Sequence, residues 1–191
     1  YFQKAVMRPE PIGIITTSAT WTDEFLDWFK KEDLKRSRQM YKHQGYEWWR
    51  KGTAEAEIFG GTIPTINHLL GSEYWIDLKG KILFIDLPEG DLPGTPFSQS
   101  WLDSFLADLD NVGVFANIKG LVIGRPYCYK ETEIKILKKM INYYTISYHY
   151  PILYNVNIGH ASPIITLPMG VRVRLKSEKN EFQILEKAIS L

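Results

Sequence analysis

"KILFID" spans Lys81–Asp86, and its four consecutive apolar residues decide the fold class. A strand with one wet face would alternate; an unbroken apolar run fits a strand covered on both faces, as in the middle of a parallel sheet. Downstream, "DLPEGDLPGTP" (Asp86–Pro96) is a Gly/Pro loop. In "SQSWLDSFLADLDNVGVF" (Ser98–Phe115), Trp101, Leu102, Phe105, Leu106 and Leu109 recur at helical spacing, which predicts an amphipathic helix. "IKGLVIGRP" (Ile118–Pro126) is a second buried strand, and "ETEIKILKKMINYYTIS" (Glu131–Ser147) a second amphipathic helix. "YPILYNVNIGH" (Tyr150–His160) reads as a third strand ending at the histidine, and "IITLPMGVRVRLKSEKNEFQILE" (Ile164–Glu186) as closing antiparallel strands. Upstream, "TAEAEIFGG" (Thr53–Gly61) alternates; "TIPTINHLLG" (Thr62–Gly71) predicts a helix with Pro64 in its first turn and Gly71 as its stop. Strands alternating with helices, then a β-meander, predict an α/β fold over residues 53–191. Its form is a three-layer β/β/α module with a mainly parallel central sheet and a smaller antiparallel sheet.

Residues 1–52 differ in texture. They are loop-rich, aromatic and charged, and read as a linker region. "YFQ" (Tyr1–Gln3) resembles the tail of a protease-cleavage tag, and the entry into "KAVMRPEPIG" suggests a chain taken up in mid-fold. "TWTDEFLDWFKKEDLKR" (Thr20–Arg36) has Thr22 as a candidate N-cap with acids behind it, which predicts a short helix. Trp21, Phe25, Trp28 and Phe29 sit at helical spacing within it.

The 191 residues, 45% hydrophobic, suit one globular domain with a sizeable core. Lys plus Arg against Asp plus Glu is 23 to 22, a net charge of +1, so the balance implies neither a nucleic-acid polymer nor an anionic membrane surface as partner. The basic stretch "KKEDLKRSRQMYKH" (Lys30–His43) contains acids and reads as a solvated face. Cys128 is the single cysteine, so no intrachain disulfide can form. No apolar run approaches the ~18–20 residues of a membrane-spanning helix.

In open parallel sheets, chemistry gathers at the carboxyl ends of strands. Three such ends carry functional groups: Asp86, Arg125 and His160. An acid beside a histidine can fix the imidazole tautomer and stabilise the imidazolium while the histidine acts as a base. Glu89 is the competing acid, and Asp86 could instead cap its loop. Cys128 could be a nucleophile, but an unpaired thiol beside tyrosines is more often buried and inert. Ser162 follows His160 by two residues, yet no serine stands in a glycine-flanked nucleophile elbow. His43, His68 and His149 lack mutual zinc-ligand spacing.

The blocks "AEAEIFGGTIPTINHLLGSEYW", "KGKILFIDLPEG", "FLADLDNVGVFANIKGLVIGRP" and "PILYNVNIGHASPIITLPMGVRVRL", taken in order, resemble the C-terminal half of the LD-carboxypeptidase family of serine peptidases. Within the family they are closer to the microcin C self-immunity branch. The resemblance implies that His160 is the triad histidine and that Asp86 stands where the family has a glutamate, with Glu89 as the alternative. Thr62 stands at a substrate-contacting position usually held by asparagine, and Trp28 matches a linker tryptophan that stacks on a nucleobase, with Trp21 as second choice. It further implies a serine nucleophile on an N-terminal domain outside this chain, which is the chain's own partner. The implied reaction is cytoplasmic hydrolysis, without metal or cofactor, of an LD-muropeptide or an aminoacyl-nucleotide amide of processed microcin C type, by a protein that dimerises when full-length. A non-catalytic binding domain derived from the family is the rival expectation, and the departures at Asp86 and Thr62 are what it would display.

Overall fold

The computed structural model describes residues 1–190. In chain order the elements are α1 (Phe2–Val6), β1 (Gly13–Ile14), β2 (Thr20–Trp21), β3 (Tyr41–Lys42), β4 (Glu47–Arg50), β5 (Thr53–Thr62), α2 (Ile63–His68), β6 (Ile82–Asp86) and α3 (Gln99–Asn111). There follow α4 (Val114–Asn117), β7 (Gly120–Gly124), α5 (Glu131–Thr145), β8 (Ile152–Val156), β9 (Arg172–Lys176) and β10 (Glu181–Ile184). Eight strands form one curled sheet in the order β1-β10-β9-β5-β6-β7-β8-β4, and β2 pairs with β3 in a small antiparallel sheet. The central strands β5 to β8 are mutually parallel.

β5 is the seam of this sheet. Its first half, Thr53–Glu57, pairs antiparallel with β9; its second half, Ile58–Thr62, pairs parallel with β6. The second β layer expected from the sequence is therefore present, and it runs continuously into the first through β5. Glycine at the crossing permits the close approach, because a Cβ on Gly60 would fall on the backbone of Phe84.

Alternate residues of the central strands enter two cores. Leu83, Ile85, Leu121 and Ile123 pack under the helices with Leu102, Leu106 and Leu109 of α3 and Leu137 and Ile141 of α5. Ile82, Phe84, Val122 and Leu153 face the other way, against Val173, Leu175, Phe182 and Ile184. The apolar runs are unbroken because both faces are covered. Each fully buried leucine or isoleucine contributes ~1.5–3 kcal/mol. Helix α5 starts where Glu133 accepts the N–H of Lys130 at 2.6 Å, and α3 where Ser98 caps the N–H of Trp101.

Two expectations are corrected. No α-helix forms across Thr20–Arg36; the segment holds β2, an open stretch, a turn and a 3₁₀ turn at Glu32–Leu34. The Thr22 hydroxyl accepts the N–H of Glu24, two residues on, and its backbone pairs with Ser162 instead of starting a helix. Most of the aromatic stripe is uncovered: Trp21 packs against Tyr41 and Arg125, but Phe25, Trp28 and Phe29 are exposed, so helical spacing had no core to face. The third strand also stops early, at Val156, and the chain turns through Asn157–Gly159 before reaching His160.

Candidate active site

Three chain segments converge at the carboxyl ends of β5, β6 and β8. Asp86 is the last residue of β6 and sits in register with Thr62, the last of β5. Asp86 is 2% exposed. His160 arrives from the loop after β8, and its Nδ1 lies 2.6 Å from Asp86 Oδ2. The Thr62 hydroxyl donates to the same oxygen at 3.4 Å. Asp86 Oδ1 is buried with no hydrogen-bond partner among the described residues. Aspartate is a methylene shorter than glutamate, and the loop closes the gap by lying directly on the carboxyl. Gly159 takes a φ of +93° there, and a Cβ at that position would fall inside the Asp86 carboxyl group.

The bond to Asp86 assigns the Nδ1 proton to the side facing the acid and leaves Nε2 without a partner among the described residues. The imidazole side chain is 40% exposed. Its pKa is raised above the ordinary histidine value, first by the hydrogen bond to Asp86 and then by the negative charges of Asp86 and Glu89, against the opposing pull of burial. Glu89 makes no hydrogen bond to His160; it lies in the loop after β6, where it bridges to Pro96.

The first 52 residues brace this loop. His43 Nδ1 accepts the N–H of Gly45, so its Nε2 donates to Asn157 Oδ1 at 2.9 Å, and Asn157 donates in turn to Ser18. Burial holds the His43 pKa down, in keeping with a neutral imidazole. Thr22 and Ser162 exchange backbone hydrogen bonds on the other side of the loop. Arg125, at the end of β7, is buried; burial pushes its pKa down to about 10. It donates twice to Asn155 Oδ1, and its guanidinium lies 4.1 Å from the centre of the Trp21 ring. Trp21 then lines a cleft of about 490 Å³ with Asp23, Tyr41, Pro96 and Cys128 among others.

Of the residues singled out in the sequence, Asp86, His160 and Thr62 are brought together. Trp28 is not joined to them: it lies in the turn closed by Lys31 N–H on its carbonyl and is 73% exposed. Ser162 Oγ accepts from Arg38, not from the imidazole. Cys128 makes no bond to His160, and burial raises its thiol pKa, which disfavours the thiolate. Missed in the sequence were Gly159 as the platform for Asp86, and the His43–Asn157–Ser18 chain. The left-handed turn before His160 was signalled by its glycine; the long-range partners left no local signal. Among the described residues, no group of three or more His, Cys, Asp or Glu side chains could hold a metal ion, and no helix is long and apolar enough to cross a membrane.

Residues 55–175 match the family described as the LD-carboxypeptidase C-terminal domain. The YocD protein of Bacillus subtilis (strain 168) is 30% identical over 177 residues, covering 93% of this chain and 51% of its own. The microcin C7 self-immunity protein MccF of Escherichia coli is 24% identical over 196 residues, covering 99% of this chain and 53% of its own. A structure of MccF in complex with glutamyl sulfamoyl guanosine superposes with a TM-score of 0.82 at 20% identity, over 99% of this chain and 54% of that one. The chain thus spans about half the length of the curated relatives it matches.

Proposed function

The chain belongs to the LD-carboxypeptidase family through its C-terminal domain, and on that premise we propose that it is the histidine-and-acid half of a serine peptidase or amidase. The observation that carries the reading is the 2.6 Å bond from His160 Nδ1 to buried Asp86, which leaves Nε2 without a partner among the described residues on a partly exposed ring. The nucleophilic serine comes from a domain outside this chain, which also provides the oxyanion hole. His160 Nε2 takes the serine proton as the hydroxyl attacks the scissile carbonyl, and Asp86 stabilises the imidazolium that results. The tetrahedral intermediate collapses as His160 passes the proton to the leaving amine. A water, activated by the same imidazole, then hydrolyses the acyl-enzyme. Such a triad works without metal or cofactor. Thr62 orients Asp86 through its hydroxyl and borders the substrate.

The substrate is an aminoacyl-nucleotide amide. The glutamyl sulfamoyl guanosine complex of MccF supports this class, as does the exposed indole of Trp28, free to stack on a nucleobase. The family's description favours an LD-muropeptide as the second reading. The full-length protein acts in the cytoplasm as a homodimer. The test is hydrolysis of aspartyl sulfamoyl adenosine and of an LD-linked muropeptide by the full-length protein. Release of aspartate, lost in His160→Ala, supports the reading. Turnover of the muropeptide alone transfers the chain to the cell-wall class, and turnover of neither supports a non-catalytic binding domain.

A further inference from the structure

A cavity of about 430 Å³ opens between the edge strand β4 and helix α5. It adjoins Ile152 at the amino end of β8, whereas His160 follows the carboxyl end of that strand, and it shares no residue with the Asp86–His160 pair. Its walls are apolar at Trp49, Ile141 and Ile152 and cationic at Arg50, Lys135, Lys138 and Lys139, and among the described residues no carboxylate lines it.

The alternation of β4 explains the arrangement. Trp48 packs into the core against β9 and β10, and Trp49 faces the helix side, stacked on Tyr154 with ring centres 4.3 Å apart. Arg50 is tethered by a bond from Nη2 to Thr145 Oγ1 at 3.1 Å and lies against the Tyr150 ring. The indole Nε1 of Trp49 and Nη1 of Arg50 have no acceptor among the described residues, but both are shut from water and lie behind the cavity wall. The local acids are already committed, Glu47 to Lys138 at 2.8 Å and Glu131 to Lys135 at 2.6 Å. Lys139, exposed on α5, meets no carboxylate among the described residues.

We propose that this cavity is a binding site for a small organic anion with a flat apolar body, held by Arg50 and Lys139 at the charged end and by Trp49 and Ile141 along the ring. The cationic rim, with Lys139 uncommitted, selects the charge, and the apolar wall selects the body.

Phenyl phosphate is the probe, titrated into the ¹⁵N-labelled chain while the indole Nε1–H of Trp49 is followed by NMR. The expected result is a saturable shift. It should weaken about tenfold in Lys139→Glu, a surface change that leaves the fold intact, and also in Arg50→Gln. Phenol should give no saturable shift, and inorganic phosphate should bind at least about tenfold more weakly than phenyl phosphate. No saturable shift up to ~10 mM, or a shift undiminished in Lys139→Glu, overturns the site. Equal binding of phenol overturns its selectivity for anions, and equal binding of inorganic phosphate overturns the apolar half of the assignment.

Discussion

The smallest unit of the account is a carboxylate, an imidazole and the glycine that lets them meet. Because the His160 pKa is raised, the charged pair with Asp86 stabilises the fold fully below the ordinary histidine pKa of ~6.5. That contribution fades as pH rises through the higher folded-state value. An NMR titration of the His160 ring should give a midpoint above ~6.5, and Asp86→Asn should move it back down. A midpoint unmoved by Asp86→Asn would show that the hydrogen bond is not the cause. If His160 is the base of the proposed reaction it must be neutral to act, so kcat/KM of the full-length protein should fall on the acid side with the same raised pKa. Gly159→Ala combines a positive φ with a Cβ inside the Asp86 carboxyl. It should cost at least ~1–3 kcal/mol in denaturant melts and break the pair, with the His160 ring titrating near its ordinary value. At this scale the sequence singled out Asp86, which ends a strand, and His160, which lies four residues past one. It could not choose between Asp86 and Glu89, since one ends β6 and the other follows three residues on, and only the path of a distant loop decides which of them meets the imidazole.

Among the elements, β5 and the segment Thr20–Arg36 mark what periodicity can and cannot convey. The alternation of "TAEAEIFGG" was enough to predict a strand, but nothing local says that its halves pair with partners of opposite direction. The continuous runs at β6 and β7 were legible because double-sided burial removes alternation. Helical spacing of Trp21, Phe25, Trp28 and Phe29 predicted a helix that does not form, since amphipathicity yields a helix only where a core receives the stripe. The exposed aromatics have a consequence for binding. Trp28→Ala should leave the melting temperature within about 1 °C, because the indole is 73% exposed. If Trp28 stacks on a base, calorimetry on the full-length protein should record an affinity for aminoacyl-sulfamoyl adenosine about tenfold weaker. Equal affinity of the two forms would remove Trp28 from the substrate site.

The molecule as a whole is two cores divided by one sheet. Leu106 belongs to the helix side and Phe182 to the curled antiparallel side, and both are fully buried. Leu106→Ala should cost ~2–5 kcal/mol and Phe182→Ala ~3–5 kcal/mol. Because β5 is shared by both layers, each variant should lower one common unfolding transition, and two separated transitions would mean that the layers fold independently. This joint architecture sets the ends of β5 and β6 beneath the loop that carries His160, so the pair inherits the rigidity of the sheet. Turnover of aspartyl sulfamoyl adenosine by the full-length protein, wild type against His160→Ala, tests the central claim most directly. Loss of the base should lower kcat by about 10³-fold or more, leaving only the residual catalysis of binding and the oxyanion hole. A His160→Ala enzyme within about tenfold of wild type would contradict the assignment of His160 as the base.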